Sequence, residues 1–202
     1  MTWPKRLAAA LALLCASCAL TSKSESVFFR YYTLERVSPP GTTPNDTAPR
    51  KLQLRLGRVG SASHLKDKIA YRDAGNEIGF YDSLRWTEKP ENYLYRTLSR
   101  VLFEQNQIQQ IVGGAGPTLE VELNVFEELR APRHAARVEI SWLLRDDQLV
   151  MLQKTLVVER AITAPKSEVQ ASAVATAMAD ALGEAIDTIV TAVIVELSRK
   201  TG

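Results

Sequence analysis

The sequence predicts an α+β domain: a mixed, mostly antiparallel sheet with two main helices packed on one face. Three features lead there. Apolar and polar residues alternate through three consecutive runs within residues 119–159, the period of strands with one buried face. Residues 90–107 and 168–199 instead repeat their apolar positions at helical spacing. Shorter β-rich runs precede both helices, so the order is strands, helix, meander, helix.

Taken in order, residues 27–35 (VFFRYYTLE) are aromatic and β-rich and read as a first strand. Residues 37–50 hold four of the nine prolines and read as a loop excursion. In KLQLRLGRV, Leu52, Leu54 and Leu56 alternate with polar residues as in a half-buried strand. Runs at 68–72 and 77–81 flank Asp73-Ala74-Gly75-Asn76 and read as a hairpin. Leu94, Leu98, Val101 and Leu102 mark the first helix, with Thr87 as its cap and Pro90 tolerated in the first turn. The meander buries Leu119, Val121, Leu123 and Val125, then Val138, Ile140, Trp142 and Leu144, then alternate positions of 149–159, with Asp146-Asp147-Gln148 turning the last two strands. Glu120, Glu122, Glu127 and Glu128 fall on its polar side and read as a solvated face.

A capping box, Ser167-Glu168-Val169-Gln170, opens the last helix. Its stripe is Val174, Met178, Leu182, Ile186, Ile189, Val193 and Leu197. At 1.5 Å per residue, residues 168–199 extend about 48 Å, longer than one small sheet covers. Its end therefore either protrudes to meet a neighbouring subunit, giving a homo-oligomer, or belongs to a core helix with a frayed terminus.

The N-terminus carries an address. Lys5 and Arg6 precede an apolar run from Leu7 to Leu14, and Ala16 and Ser17 are small residues directly before Cys18. This resembles a lipoprotein signal, with Cys15 where such signals usually carry Leu, and plain secretory cleavage is the alternative. Residues 1–17 are read as the signal peptide, 18–26 as the lipidated N-terminus and tether, and 27–202 as a single domain. Several acyl chains on Cys18 hold a protein stably on its membrane. Ala19 at the next position favours the outer membrane, on its periplasmic face. Eight residues, Ala19 to Ser26, then reach roughly 28 Å when extended.

Composition narrows the function classes. The chain has 25 basic and 23 acidic side chains, and loss of Lys5 and Arg6 leaves the two balanced, which argues against a nucleic-acid partner. No cysteine follows Cys18, so packing alone holds the domain. The glycines of Val112-Gly113-Gly114-Ala115-Gly116-Pro117 follow a helix, precede a strand and lack a lysine, which makes them a turn and no phosphate cradle. His64 and His134 are the only histidines and both fall in loop-like contexts, so neither a metal centre, a cofactor nor a catalytic site is expected. Arg130, Arg133 and Arg137 surround a basic turn that could meet lipid headgroups.

One segment concentrates recognition chemistry. In YRDAGNEIGFYDSLRW, Tyr71, Arg72, Tyr81, Arg85 and Trp86 are residue types that anchor interfaces, combining rigid area with a polar tip. They are the candidate partner-binding residues, and packing of the hairpin against the first helix is the competing explanation. Replacement of Arg85 or Trp86 by alanine is expected to weaken partner capture more than folding.

The run IAYR, then GFYDSLRWTEKPENYL leading into an amphipathic helix, all downstream of the lipoprotein signal and VFFRYYTLE, resembles the auxiliary lipoprotein family of ABC-type transport systems. The resemblance spans essentially the whole mature chain. It implies an outer-membrane docking component that works with a transport ATPase, a permease and an MCE-domain protein bridging the periplasm, moves lipid or other hydrophobic compounds, and hydrolyses nothing itself. The alternative is a structural or regulatory lipoprotein of an envelope-assembly machine or a wall synthase, against which the short tether counts. A lipid-anchored hydrolase is opposed by the missing nucleophile and base.

Overall fold

The computed structural model describes residues 28–34, 52–163 and 171–201. Cys18 and its tether, the proline-rich 37–50 and the capping box at Ser167 lie outside the described residues. The strands are β1 (Arg30–Tyr32), β2 (Gln53–Ser61), β3 (Lys68–Arg72), β4 (Gly79–Trp86), β5 (Gln109–Gln110), β6 (Thr118–Leu129), β7 (Ala135–Arg145) and β8 (Val150–Ala161). The helices are α1 (Pro90–Ser99), which runs into a π-helical turn at Arg100–Gln105, and α2 (Ala171–Thr201). The α+β architecture read from the sequence is present.

All strands join one mixed sheet built around β6. One edge of β6 pairs antiparallel with β7 along its whole length, and β7 pairs antiparallel with β8. The other edge is divided. Its first half takes β2 in parallel, Arg55 opposite Thr118, and its last three residues take β3 in parallel, Ala70 opposite Glu127. Beyond these lie β5 beside β2, β4 antiparallel to β3, and β1 parallel to β4. The long antiparallel pairings carry most of the paired length.

Both helices cover the same face. Leu119, Leu123, Ile140 and Leu144 project from the sheet, Leu94, Leu98 and Leu102 from the first helical segment, and Met178, Ala181, Ala185 and Ile189 from α2; all lie fully within the core. Burial of each Leu or Ile contributes about 1.5–3 kcal/mol, and the alanines let the α2 backbone approach the sheet closely. The meander strands of 11 and 12 residues extend roughly 40 Å. They match α2, so its end is seated and does not project: Leu197 is 3% exposed, and Lys200 Nζ lies 2.6 Å from Asp146 Oδ2 in the β7–β8 turn. Among the described residues no helix is long and apolar enough to cross a membrane.

Three local expectations change. Thr87 does not cap α1: Lys89 holds the cap position without a side-chain bond, and the Thr87 hydroxyl meets Tyr93 Oη instead. The helix also ends in a wider turn, where the Asn106 amide bonds back to Val101 O. Most consequential is a bulge in β6, which leaves Asn124 without an opposite residue between the pairs Leu123–Ile140 and Val125–Glu139. A bulge reverses the alternation beyond it. Phe126 therefore takes the core position expected of Val125, and the carboxylates of Glu127 and Glu128, expected in solvent, are each 1% exposed.

Candidate functional site

The candidate segment is divided between the two faces of the sheet. Tyr71 on β3 and Tyr81 on β4 lie on the helix-bearing face near the end of β6, where the bulge also directs Glu128. Their rings meet edge to face, centroids 5.1 Å apart. Gly79 sits opposite Tyr71, and a Cβ there would overlap the tyrosine ring, so glycine opens the space into which Tyr71 folds. Arg130 completes the group. Its backbone amide donates to Arg72 O at 2.9 Å, and its guanidinium carbon lies 3.4 Å from the centre of the Tyr71 ring and 4.8 Å from that of Tyr81.

Glu128 is the hub beneath this stack. Tyr81 Oη donates to Oε2 at 2.6 Å, His134 Nε2 lies 2.6 Å from Oε1, and Arg130 Nε is 3.7 Å from Oε2. Each oxygen of the buried carboxylate thus has a partner, the condition under which a buried charge is tolerated. Burial pushes the Tyr81 phenol up to about 12, and its bond to Glu128 adds to the rise while Arg130 opposes it. Committed to these partners, Glu128 is a clamp joining β3, β4, β6 and the β6–β7 turn. Among the described residues, no group of three or more His, Cys, Asp or Glu side chains could hold a metal ion.

Arg72, Arg85 and Trp86 are placed elsewhere. Arg72 lies on the opposite face, bidentate to the buried Glu127 at 2.7 and 3.0 Å, and that hydrogen-bonded carboxylate raises its pKa. Arg85 is 9% exposed; its Nη1 donates to the carbonyls of Tyr81 and Leu84, and its Nε lies 3.4 Å from Asp67. Trp86 is 2% exposed and packs on Phe126 with centroids 5.5 Å apart. Trp86 thus fills core volume, and the Arg85 guanidinium is held by two backbone carbonyls and Asp67, so packing, the competing explanation for this segment, accounts for the placement of both. The basic turn is likewise engaged, Arg133 with Glu159 at 3.1 Å and Arg137 with Glu139 at 3.7 Å.

A second feature emerges only in three dimensions. α1 and its π-helical turn stand apart from the middle of α2, leaving a groove of about 710 Å³. Its floor is apolar, from Leu34, Val59, Leu182 and Ile186, and its rim carries Glu91, Tyr95, Arg96, Arg100 and Glu104. The Glu91 carboxylate accepts from Ser61 at 2.6 Å and Arg96 pairs with Glu88 at 2.6 Å, which fixes part of the rim. Tyr95 is 48% exposed. Sequence reasoning missed this groove because Tyr95, Arg96 and Arg100 look like an ordinary wet helix face until α2 is placed beside them.

A family model described as the ABC-type transport auxiliary lipoprotein component matches residues 32–190. The chain belongs to this family of transport auxiliary lipoproteins. The match covers both the Tyr71–Arg130–Tyr81 stack and the groove, so both lie in the part of this auxiliary lipoprotein that defines the family. No curated protein sequence matches the chain. Among crystal structures, the fold is similar to that of a Xanthomonas campestris protein of the DUF330 family (TM-score 0.70, 21% identity, covering 85% of this chain and 98% of that one). It also resembles an uncharacterized protein (TM-score 0.63, 15% identity, 82% and 99%) and a hypothetical protein of Chlamydia trachomatis (TM-score 0.52, 9% identity, 73% and 98%). At these identities the likeness concerns the fold alone.

Proposed function

We propose that this auxiliary lipoprotein is held at the periplasmic face of the outer membrane through Cys18 and docks the MCE-domain protein of an ABC-type system that moves lipid or other hydrophobic compounds between membranes. It contributes a surface and no catalysis. The observation that carries this reading is the interhelical groove: an apolar floor with a rim of both charge signs, within a chain whose family serves transport. An apolar helix or loop of a partner fits such a groove, burying its own apolar side on the partly exposed Val59, Ala179 and Tyr95 while Arg100 and Glu104 meet its polar edge. The docking residues are then Tyr95, Arg96 and Arg100, with Tyr71 and Tyr81 outside the groove as part of a clamp.

The test is site-specific photocrosslinking in cells. A photoreactive residue at Tyr95 should yield an adduct with an MCE-domain protein, and one at Val157, 46% exposed on β8 away from the groove, should not. Adducts at Tyr95 with only a wall synthase or an assembly-machine protein would assign the groove to the alternative class.

A further inference from the structure

The described chain begins with an unusual surface. Phe28, Phe29 and Tyr31 are 83%, 51% and 63% exposed, three large aromatic side chains within four residues. Isolated exposed apolar residues are ordinary, whereas three large aromatics exposed on one short stretch of chain mark a surface meant to be covered. We propose that this group is a membrane-seating surface, which lies in the interfacial layer of the lipid leaflet that carries the Cys18 anchor.

Position supports lipid as the occupant. Phe28 follows Cys18 by ten residues, so even a fully extended tether keeps it within about 35 Å of the acylated sulfur. The leaflet that carries the anchor is therefore always within reach of these side chains. β1 is also only three residues long, too short an edge to recruit a partner strand.

The chemistry agrees. Tyr31 pairs in register with Arg85 on β4, and the Phe29 ring lies over the Arg85 guanidinium with the carbon 4.8 Å from its centroid. Arg85 is itself fixed by the Tyr81 and Leu84 carbonyls, so Phe29 rests on a rigid base. Phe29, Tyr31 and Arg85 thus share one side of the strand, while Arg30 lies on the other, its guanidinium carbon 5.7 Å from the Tyr32 ring centre. Aromatic rings with apolar bodies and polar neighbours are the side chains that settle at the headgroup level. One acyl anchor site gives attachment; a second, weaker contact beside it fixes orientation and turns the rest of the domain toward the periplasm. The proposal rests on acylation of Cys18 and is independent of the MCE partner.

The experiment uses full-length acylated protein in vesicles of phosphatidylethanolamine and phosphatidylglycerol. Phe28→Trp and, as a control, Val112→Trp at a site 92% exposed in the α1–β6 connection, each place one indole on the surface. Trp86 and Trp142 give a constant background that is subtracted with the unsubstituted protein. The Phe28→Trp signal should shift to the blue on reconstitution and lose intensity when the acyl chains are brominated, while the Val112→Trp signal does neither. Equal, unquenched emission at both sites would overturn the proposal. A blue shift without bromine quenching would also overturn it, by placing a second copy or a protein partner on the patch. Failure of the protein to float with vesicles would remove the anchor, and the proposal with it, while leaving the crosslink at Tyr95 as a separate question.

Discussion

Tyr81 and Trp86 stand five residues apart on β4 and respond to different perturbations. Trp86 fills the space above Phe126, so Trp86→Ala leaves a cavity and should cost about 3–5 kcal/mol. Urea denaturation measures this directly, and an unchanged midpoint would remove Trp86 from the core. Tyr81 is instead sensitive to alkali. Its phenol is pushed from 10.0 up to about 12 by burial and by the bond to Glu128. The folded chain therefore keeps this proton where the unfolded chain has released it. A raised folded pKa gives stability that is whole below about pH 10 and is withdrawn as pH climbs toward 12. Tyr81→Phe cannot ionise and should lose less stability than the unsubstituted protein across that window. Denaturation series at pH 9, 10, 11 and 12 that decline in parallel for the two proteins would acquit Tyr81.

At the level of elements, the end of α2 is tied to a turn. Lys200 above all, with the amides of Gln148 and Leu149, holds the Asp146 carboxyl well below the usual aspartate range. A depressed carboxyl stabilises above its unfolded pKa, and that contribution fades as pH drops below it. Asp146→Asn should thus speed hydrogen exchange in the last turn of α2 at neutral pH and leave the buried centre around Met178 and Leu182 unchanged; equal protection at both ends would deny the tie. The elements themselves were mostly legible in the sequence, because period-two and period-3.6 patterns follow from which face is buried. The β6 bulge was less so. Its trace is the adjacent apolar pair Val125-Phe126, which breaks strict alternation, but the unpaired residue shows itself only in a cross-strand contact, Asn124 Nδ2 donating to the Ser141 hydroxyl at 2.7 Å. Thr87 departs from the cap position for a local reason, since Tyr93, in the first turn of the same helix, takes its hydroxyl.

For the whole molecule, the α+β class could be read from the order of patterns, whereas the site could be read only in part. Tyr71 and Tyr81 do converge, but their companions Glu128, Arg130 and His134 come from another strand and turn, and the groove exists only once two helices far apart in sequence are neighbours. The divided edge of β6 has a further consequence, which concerns time. The β7 and β8 pairings form with the strands that follow directly, while β2 and β3 precede β6 by long stretches of chain. Contacts across such separations are slow to close. The β2 and β3 pairings with β6 should therefore close after the β6–β8 meander has formed.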